Sequence, residues 1–285
     1  MTRAVRPRVV ATDLDGTLLR SDGTVSDRTR SVLAALDEAG TQVVFVTARP
    51  PRWLTEVGRL VGGHGVIICL GGACVYDVGT SRVVESRGFA LPALRDVVRD
   101  LRAAVPDVSL AVEQVDGPVF DATFRHEEDM PDSWRGPVER ALDSPVAKLL
   151  ARTDALGQDE FFEQVLDVVG DRALLAFSGA AGLAELLPPD VTKAGALATW
   201  SSSHGIGADE VWAFGDMPND LPMLTWAGTS YAVANAHPEV LATATHVTAS
   251  NDDDGVAVAL ERLLDGSFLR QSTAPSMSPT ERQEG

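Results

Sequence analysis

The sequence predicts an α/β fold, in which a Rossmann-like parallel-sheet core is interrupted by an inserted α+β cap domain. Strand and helix patterns alternate over the first eighty residues, and this alternation returns after Pro188. Between these regions, runs of strands are separated by only two or three helices. Alternation is typical of a parallel sheet with helical crossovers, whereas runs of strands are typical of an α+β unit. We therefore expect a discontinuous core of residues 1–82 and 188–270 and a cap of residues 83–187.

The core elements follow from hydrophobic periodicity and from helix-end signals. A β-branched apolar run at 8–14 predicts the first strand, and Ser26 is a suitable N-cap for a helix that Gly40 would end. The tail, residues 271–285, is polar and rich in Ser and Pro, so we expect it to be disordered. The other predicted core strands are 41–49, 65–72, 209–216 and 230–235, and the other core helices are 50–60, 193–206, 221–228, 238–245 and 255–266.

The cap region opens with a predicted hairpin that turns near Gly79. Lys148 lies in an alternating strand pattern, where we expect it to face solvent. Two short connections, near Val83 and Pro188, predict that the cap closes over the core as a unit and selects the substrate. The cap helices are expected at 91–104 and 161–169, and its strands at 108–115, 117–124, 146–152 and 172–179.

Composition excludes several classes of protein. The net charge of −17 disfavours a nucleic-acid partner, and no apolar run is long enough to span a membrane. The two cysteines fit no zinc spacing and are expected as buried thiols in a reducing cytoplasm. We expect a monomer or homodimer. Of the 24 basic residues only Lys148 and Lys193 are lysine, so each lysine calls for an explanation.

Polar side chains cluster where the predicted parallel strands end, which is the edge where such sheets bind ligands. Two like charges about 4 Å apart repel by roughly 4 kcal/mol at an effective dielectric near 20. A divalent cation would offset this repulsion, and an all-oxygen set without His or Cys favours Mg²⁺ over zinc or copper. The residues expected at this rim are Asp13, Asp15, Thr47, Gly71, Gly72, Asp216, Asn219, Asp220 and Lys193.

The same rim could transfer a phosphoryl group. In an extended Asp-x-Asp segment both side chains point the same way, so Asp13 could attack phosphorus while Asp15 protonates the leaving oxygen and later activates water. The cation and Lys193 would offset the repulsion between a carboxylate and a phosphate dianion.

Four segments, "DLDGTLL", "TAR", "VTKAGAL" and "GDMPNDLPML", resemble in order the four motifs of the haloacid dehalogenase superfamily. The long insert and the segments "YAVANA" and "NDDDGVAVALE" resemble its Cof-type sugar-phosphatase branch, over about residues 8–265. The resemblance implies an Mg²⁺-dependent phosphatase acting on a small phosphorylated metabolite. It implies Asp13 as nucleophile, Asp15 as acid/base and carbonyl ligand, Lys193 as the motif lysine, Thr47, Ala48 and Asn219 as phosphate contacts, and Asp13, Asp15, Asp216 and Asp220 around the metal.

The sequence differs from the usual motifs of this branch at two positions, and other functions remain possible. The branch usually has Gly where this chain has Ala48 and Asn where it has Gly71, and the second change leaves the substrate open. A phosphohexomutase, or a phosphometabolite-binding regulator on an inactive scaffold, would fit the same motifs. The acidic segment 250–261 partly matches a calcium loop, but a loop that caps the last helix beside the rim fits it better.

Overall fold

The computed structural model describes residues 6–63, 65–125, 131–178 and 180–266. Its strands form two sheets, and helices pack against both. The strands are β1 Val9–Asp13, β2 Gln42–Val46, β3 Val66–Cys69, β4 Cys74–Asp77, β5 Arg82–Ser86, β6 Ser109–Gln114, β7 Gly117–Phe120, β8 Lys148–Arg152, β9 Leu174–Ala176, β10 Ala184–Leu187, β11 Val211–Gly215, β12 Thr229–Ala232 and β13 His246–Val247. The α-helices are α1 Asp27–Glu38, α2 Leu54–Leu60, α3 Leu91–Ala104, α4 Gln158–Val169, α5 Lys193–Ser203, α6 Leu221–Trp226, α7 Pro238–Thr243 and α8 Gly255–Leu264.

The first sheet has eight strands in the order β13-β12-β11-β1-β2-β3-β4-β5. Strands β13 to β3 in this order are parallel, and β4 and β5 add an antiparallel edge. Strand β1 is central and fully buried, with Val9 opposite both Val211 and Gln42. Such burial on both faces is typical of a parallel strand covered by helices and explains the three consecutive apolar residues that begin β1.

The second sheet has five antiparallel strands in the order β7-β6-β8-β10-β9. Helices α3 and α4 share an apolar core with this sheet, in which Leu94 and Phe161 are buried. A smaller apolar cluster, around Phe120 and Leu150, includes residues on the sheet face that borders the main cavity. The second sheet thus has one face packed by helices and one that meets a cavity.

The predicted α/β class is confirmed, with a parallel-sheet core and an additional antiparallel sheet. Ser26 caps α1 by accepting a hydrogen bond from the Thr29 N–H, as predicted. The boundary predicted at residue 83 falls inside β5, which pairs with β4 in the first sheet, so the connection to the second sheet follows Ser86. The tail 271–285 lies outside the described residues.

Two further strands were not predicted. Strand β10 is a four-residue segment before Pro188 that includes Glu185, and β13 has only two residues. The predicted helix over 50–60 begins with a 3₁₀ turn before α2. Within the described ranges, none of the helices combines the length and apolarity that crossing a bilayer requires.

Candidate active site

The site lies where β1 and β11 end side by side. Asp13 is the last residue of β1, and Asp216 directly follows β11. Because the two strands are parallel neighbours in register, their carboxyl ends place these two aspartates next to each other. Both side chains are buried.

Lys193 joins the carboxylates. It is the first residue of α5, which Thr192 caps by accepting a hydrogen bond from the Gly195 N–H. Its ammonium donates to Asp13 Oδ1 at 2.6 Å and to Asp220 Oδ1 at 2.7 Å. Burial would lower the pKa of Lys193, but the two carboxylates outweigh it and raise that pKa. The lysine therefore remains a cation although its side chain is only 4% exposed.

Asp220 is fully buried, and both of its carboxylate oxygens accept hydrogen bonds. One of its oxygens accepts from Lys193, and the other accepts from the backbone N–H groups of Asp216 and Met217, both at 3.1 Å. These contacts fix the turn after β11 and hold Asp216 toward β1. Asp220 therefore helps to position the two other buried carboxylates.

Asp216 is held by a hydroxyl group, whereas Asp13 and Asp220 accept hydrogen bonds from Lys193. Its Oδ1 accepts from Thr17 Oγ1 at 2.7 Å. Burial, with repulsion from Asp220, raises the pKa of Asp216 to about 6. Burial likewise raises the pKa of Asp13, against the lowering effect of Lys193. The pKa of a carboxylate rises when the group is removed from water without enough positive charge nearby, and a bound cation would lower that pKa again.

This cluster fits a hard divalent cation. Carboxylate oxygens of Asp13, Asp216 and Asp220 lie within 4.8 Å of one another. Gly16 keeps the approach open, because a Cβ there would lie 2.5 Å from Asp216 Oδ2, and its φ of +76° suits glycine. An all-oxygen donor set of this kind suits Mg²⁺.

The Asp15 side chain stands apart from the three buried carboxylates. It follows the end of β1 in a turn, is 56% exposed and lines the cavity above Asp13. Arg49 donates to it through two nitrogens, at 2.5 and 2.8 Å. This bidentate pair orients the carboxylate at the mouth of the site.

The predicted phosphate-contacting residues are spread around Asp13. Ala48 and Asn219 line the cavity, while Thr47 is buried beneath it and accepts from the Arg49 N–H at 3.1 Å. The Oδ1 atom of Asn219 is buried and has no hydrogen-bond partner among the described residues. A buried amide oxygen without a donor is a group that a ligand could satisfy.

The prediction that Lys148 faces solvent is wrong. Lys148 is 2% exposed, forms an ion pair with Glu185 and donates to the Ala48 carbonyl at 3.0 Å. Ser178 also donates to Glu185. The strand alternation was correct, but the polar face of β8 borders the cavity instead of bulk solvent. Both lysines of the chain therefore reach the same cavity.

The cavity itself lies between the two sheets and has a volume of about 1010 Å³. On the side of the first sheet it is lined by Asp13 from β1, Lys193 from α5 and Asn219 from the turn after β11, and the second sheet contributes Lys148 and Glu185. An ion pair between Arg52 and the buried Glu113 also crosses from one side to the other. Polar side chains from both sides therefore line the cavity.

The acidic segment before α8 supports the turn after β1. Asp252 accepts from Ser21, and Asp254 pairs with Arg20 at 2.9 Å. Asn251 donates to the Leu19 carbonyl at 2.9 Å. These contacts tie the carboxylates to the β1–α1 connection, but Asp254, the residue before α8, makes no side-chain capping hydrogen bond, so the expected cap on α8 is absent.

Comparison with known proteins agrees with this geometry. A family model described as haloacid dehalogenase-like hydrolase matches residues 10–260. The 5-amino-6-(5-phospho-D-ribitylamino)uracil phosphatase YitU of Bacillus subtilis is 29% identical over 271 residues, covering 88% of this chain and 96% of that protein.

Solved structures share the fold. BT1666, described among phosphatases of this superfamily in Bacteroides thetaiotaomicron, has a TM-score of 0.77 and 22% identity, covering 90% of this chain and 95% of its own. The subclass IIB sugar phosphatase BT4131 has a TM-score of 0.73 and 19% identity, covering 89% and 98%. Because the family model spans most of the sequence, the chain belongs to the haloacid dehalogenase-like hydrolases and is an enzyme of their phosphatase group.

Proposed function

We propose that the protein is an Mg²⁺-dependent phosphomonoester hydrolase that acts on small sugar phosphates or similar metabolites through a phosphorylated Asp13. The contact that carries this proposal is the Lys193 ammonium held between Asp13 and Asp220 at the open end of β1. We also propose a cytoplasmic location, which the free thiols of Cys69 and Cys74 suit.

Asp13 is the proposed nucleophile. A carboxylate oxygen of Asp13 forms a bond to phosphorus while the bond from phosphorus to the leaving oxygen breaks. Asp15 lies two residues on, with its side chain in the cavity, and gives that leaving oxygen its proton. In the second step Asp15 takes a proton from water, which attacks phosphorus and frees Asp13.

Positive charge and hydrogen-bond donors must offset the repulsion between Asp13 and the phosphate. Lys193 provides a fixed ammonium, and the Thr47 hydroxyl, Ala48 N–H and Asn219 side chain surround the place where the phosphate oxygens would lie. Asp13, Asp216 and the Asp15 carbonyl would hold Mg²⁺, with Asp220 behind them. Bound Mg²⁺ would supply Lewis-acid stabilisation of charge on the phosphoryl oxygens.

The second sheet is proposed to select the leaving group. Lys148, Glu185 and Glu113 present hydrogen-bonding groups to the cavity near the proposed phosphate position, and such groups suit the hydroxyls of a sugar or polyol. The relative YitU is named for a substrate with a phosphoribityl chain, which supports a hydroxylated leaving group here.

Replacement of Asp13 by Asn tests the chemistry. Asp13→Asn should reduce kcat on p-nitrophenyl phosphate to below a few per cent, because an amide keeps the shape of the side chain but cannot attack. Asp171→Asn, at an exposed position remote from the cavity, is the matched control. Excess EDTA should also stop the wild-type reaction, and a beryllofluoride adduct should form on Asp13.

Three results would contradict the proposal: substantial kcat in Asp13→Asn, full activity in EDTA, or release of an isomeric phosphate instead of inorganic phosphate from a sugar monophosphate.

A further inference from the structure

Strand β8 presents three successive inward side chains to the cavity. Lys148, Leu150 and Arg152 alternate along the strand, and all three line the cavity wall. Lys148 contacts the carbonyl of Ala48 beside the proposed phosphate position. Four residues of extended strand span about 13 Å, so Arg152 lies at the end of this cavity wall that is remote from the proposed phosphate position.

Arg152 differs from the neighbouring cations. Arg49 pairs with Asp15, Arg52 with Glu113, and Lys148 with Glu185. Among the described residues the side chain of Arg152 forms no hydrogen bond or ion pair, and its Nε is buried without an acceptor. An unsatisfied buried donor of this kind costs free energy in the empty protein, and a ligand acceptor would recover it.

The remaining cavity residues narrow the choice of acceptor. Arg125 also lines the cavity, but it is bound to Asp154 and both side chains are largely exposed. Leu150, Leu183 and Phe124 form an apolar stretch of the lining. The wall therefore offers hydrogen-bonding groups near the phosphate, apolar contact beyond them, and a free guanidinium at the distal end.

We propose that Arg152 forms a distal subsite for a second oxyanion of the substrate. The preferred substrate would then be an elongated phosphomonoester with a carboxylate or a second phosphate at the end remote from the ester. A planar guanidinium matches either group through two parallel hydrogen bonds. This inference rests on the proposed phosphatase function and narrows its substrate class.

Matched synthetic substrates test the subsite. Linear ω-phosphooxy carboxylic acids of four to ten carbons are compared with their methyl esters, and a parallel series carries a terminal phosphate instead. The kcat/KM for phosphate release should favour the acid over its ester by about tenfold or more at the matching length, mainly through KM. The better of the two acidic series identifies the oxyanion.

Substitution of Arg152 tests whether this residue causes the preference for the acid over its ester. In Arg152→Gln the ratio of acid to ester should fall to about one, and Arg152→Lys, which keeps charge without the planar fork, should retain an intermediate ratio. Arg99→Gln, on the exposed surface of α3, should keep the wild-type ratio. If Arg152→Gln does not fold, Arg152→Lys and the wild-type pairs still measure the effect.

Two outcomes would overturn the inference: a wild-type ratio near one at every length, or an unchanged ratio in Arg152→Gln. Calorimetric binding of the same acid and ester pairs to Asp13→Asn measures the ratio without turnover. A protein that hydrolyses no phosphate ester, but binds the acids more tightly than the esters, would contradict the proposed function and leave the subsite supported.

Discussion

Replacement of Lys148 by Met should destabilise the protein by an amount that depends on pH. Lys148 and Glu185 are 2% and 5% exposed, so the lysine neutralises a carboxylate that is largely withdrawn from water. Breaking a buried ion pair by removing one partner typically costs about 3–5 kcal/mol, because the remaining charge is left uncompensated. Lys148→Met should lose about this much free energy of unfolding at pH 8.

The loss should shrink as the pH falls. An isolated buried carboxylate takes up a proton more readily in the folded chain than in the unfolded chain, so the variant gains stability relative to wild type toward pH 5. Lys148→Met combined with Glu185→Leu should recover most of the loss, since no charge then remains buried.

Urea denaturation followed by circular dichroism at pH 5 and pH 8 measures both effects. Arg95→Met is the matched control in the same region, because Arg95 and its partner Asp143 are 50% and 87% exposed. Such a surface pair contributes about 1 kcal/mol or less. A Lys148→Met loss no larger than the control, or one that does not change with pH, would refute the reasoning.

Two further predictions concern the carboxylate cluster. The pKa of Asp216 is raised from the ordinary value of 3.8 to about 6, so the metal-free folded state loses stability as the pH rises through this range. Mg²⁺ binds only the deprotonated carboxylate. Mg²⁺ should therefore raise the Tm more at pH 7.5 than at pH 5, and Asp216→Asn should remove most of this rise; an equal rise at both pH values would contradict it. Gly16→Ala should lower kcat at least tenfold, because its Cβ would meet Asp216 Oδ2 at 2.5 Å. Gly23→Ala is the control, because Gly23 has a similar positive φ but open space around it. A comparable loss of kcat in both variants would mean that backbone strain alone, and not the contact with Asp216, lowers kcat.

The core and the position of its reactive rim could be predicted because the signals are local. The apolar run that ends at Asp13 and the Ser26 cap each depend on a few neighbouring residues. The environment of Lys148 could not be predicted, since the alternation in β8 separates two faces but does not reveal what covers each face. Strand β10 was missed because its four residues before Pro188, one of which is Glu185, are too few to show a strand period.

The pairing of Asp15 with Arg49 could also not be predicted from the sequence. Both residues belong to recognisable motifs, but the contact depends on how the turns after β1 and β2 face each other. The unpaired state of Arg152 depends in the same way on which acids other cations have already engaged. Contacts of this kind arise from tertiary packing, which single-strand patterns do not encode.

The central position of β1 affects the order in which a newly made chain can fold. Strand β1 emerges from the ribosome well before its neighbour β11, because Thr17 and Asp216 are 199 residues apart in sequence. The second sheet, β6 to β10, is contiguous and can form before β11 is synthesised. Until then β1 has an open hydrogen-bonding edge, which is a surface for chaperones or for misassembly. The carboxylates at the ends of β1 and β11 meet only after β11 has been synthesised, so a chain truncated before β11 does not present an assembled site.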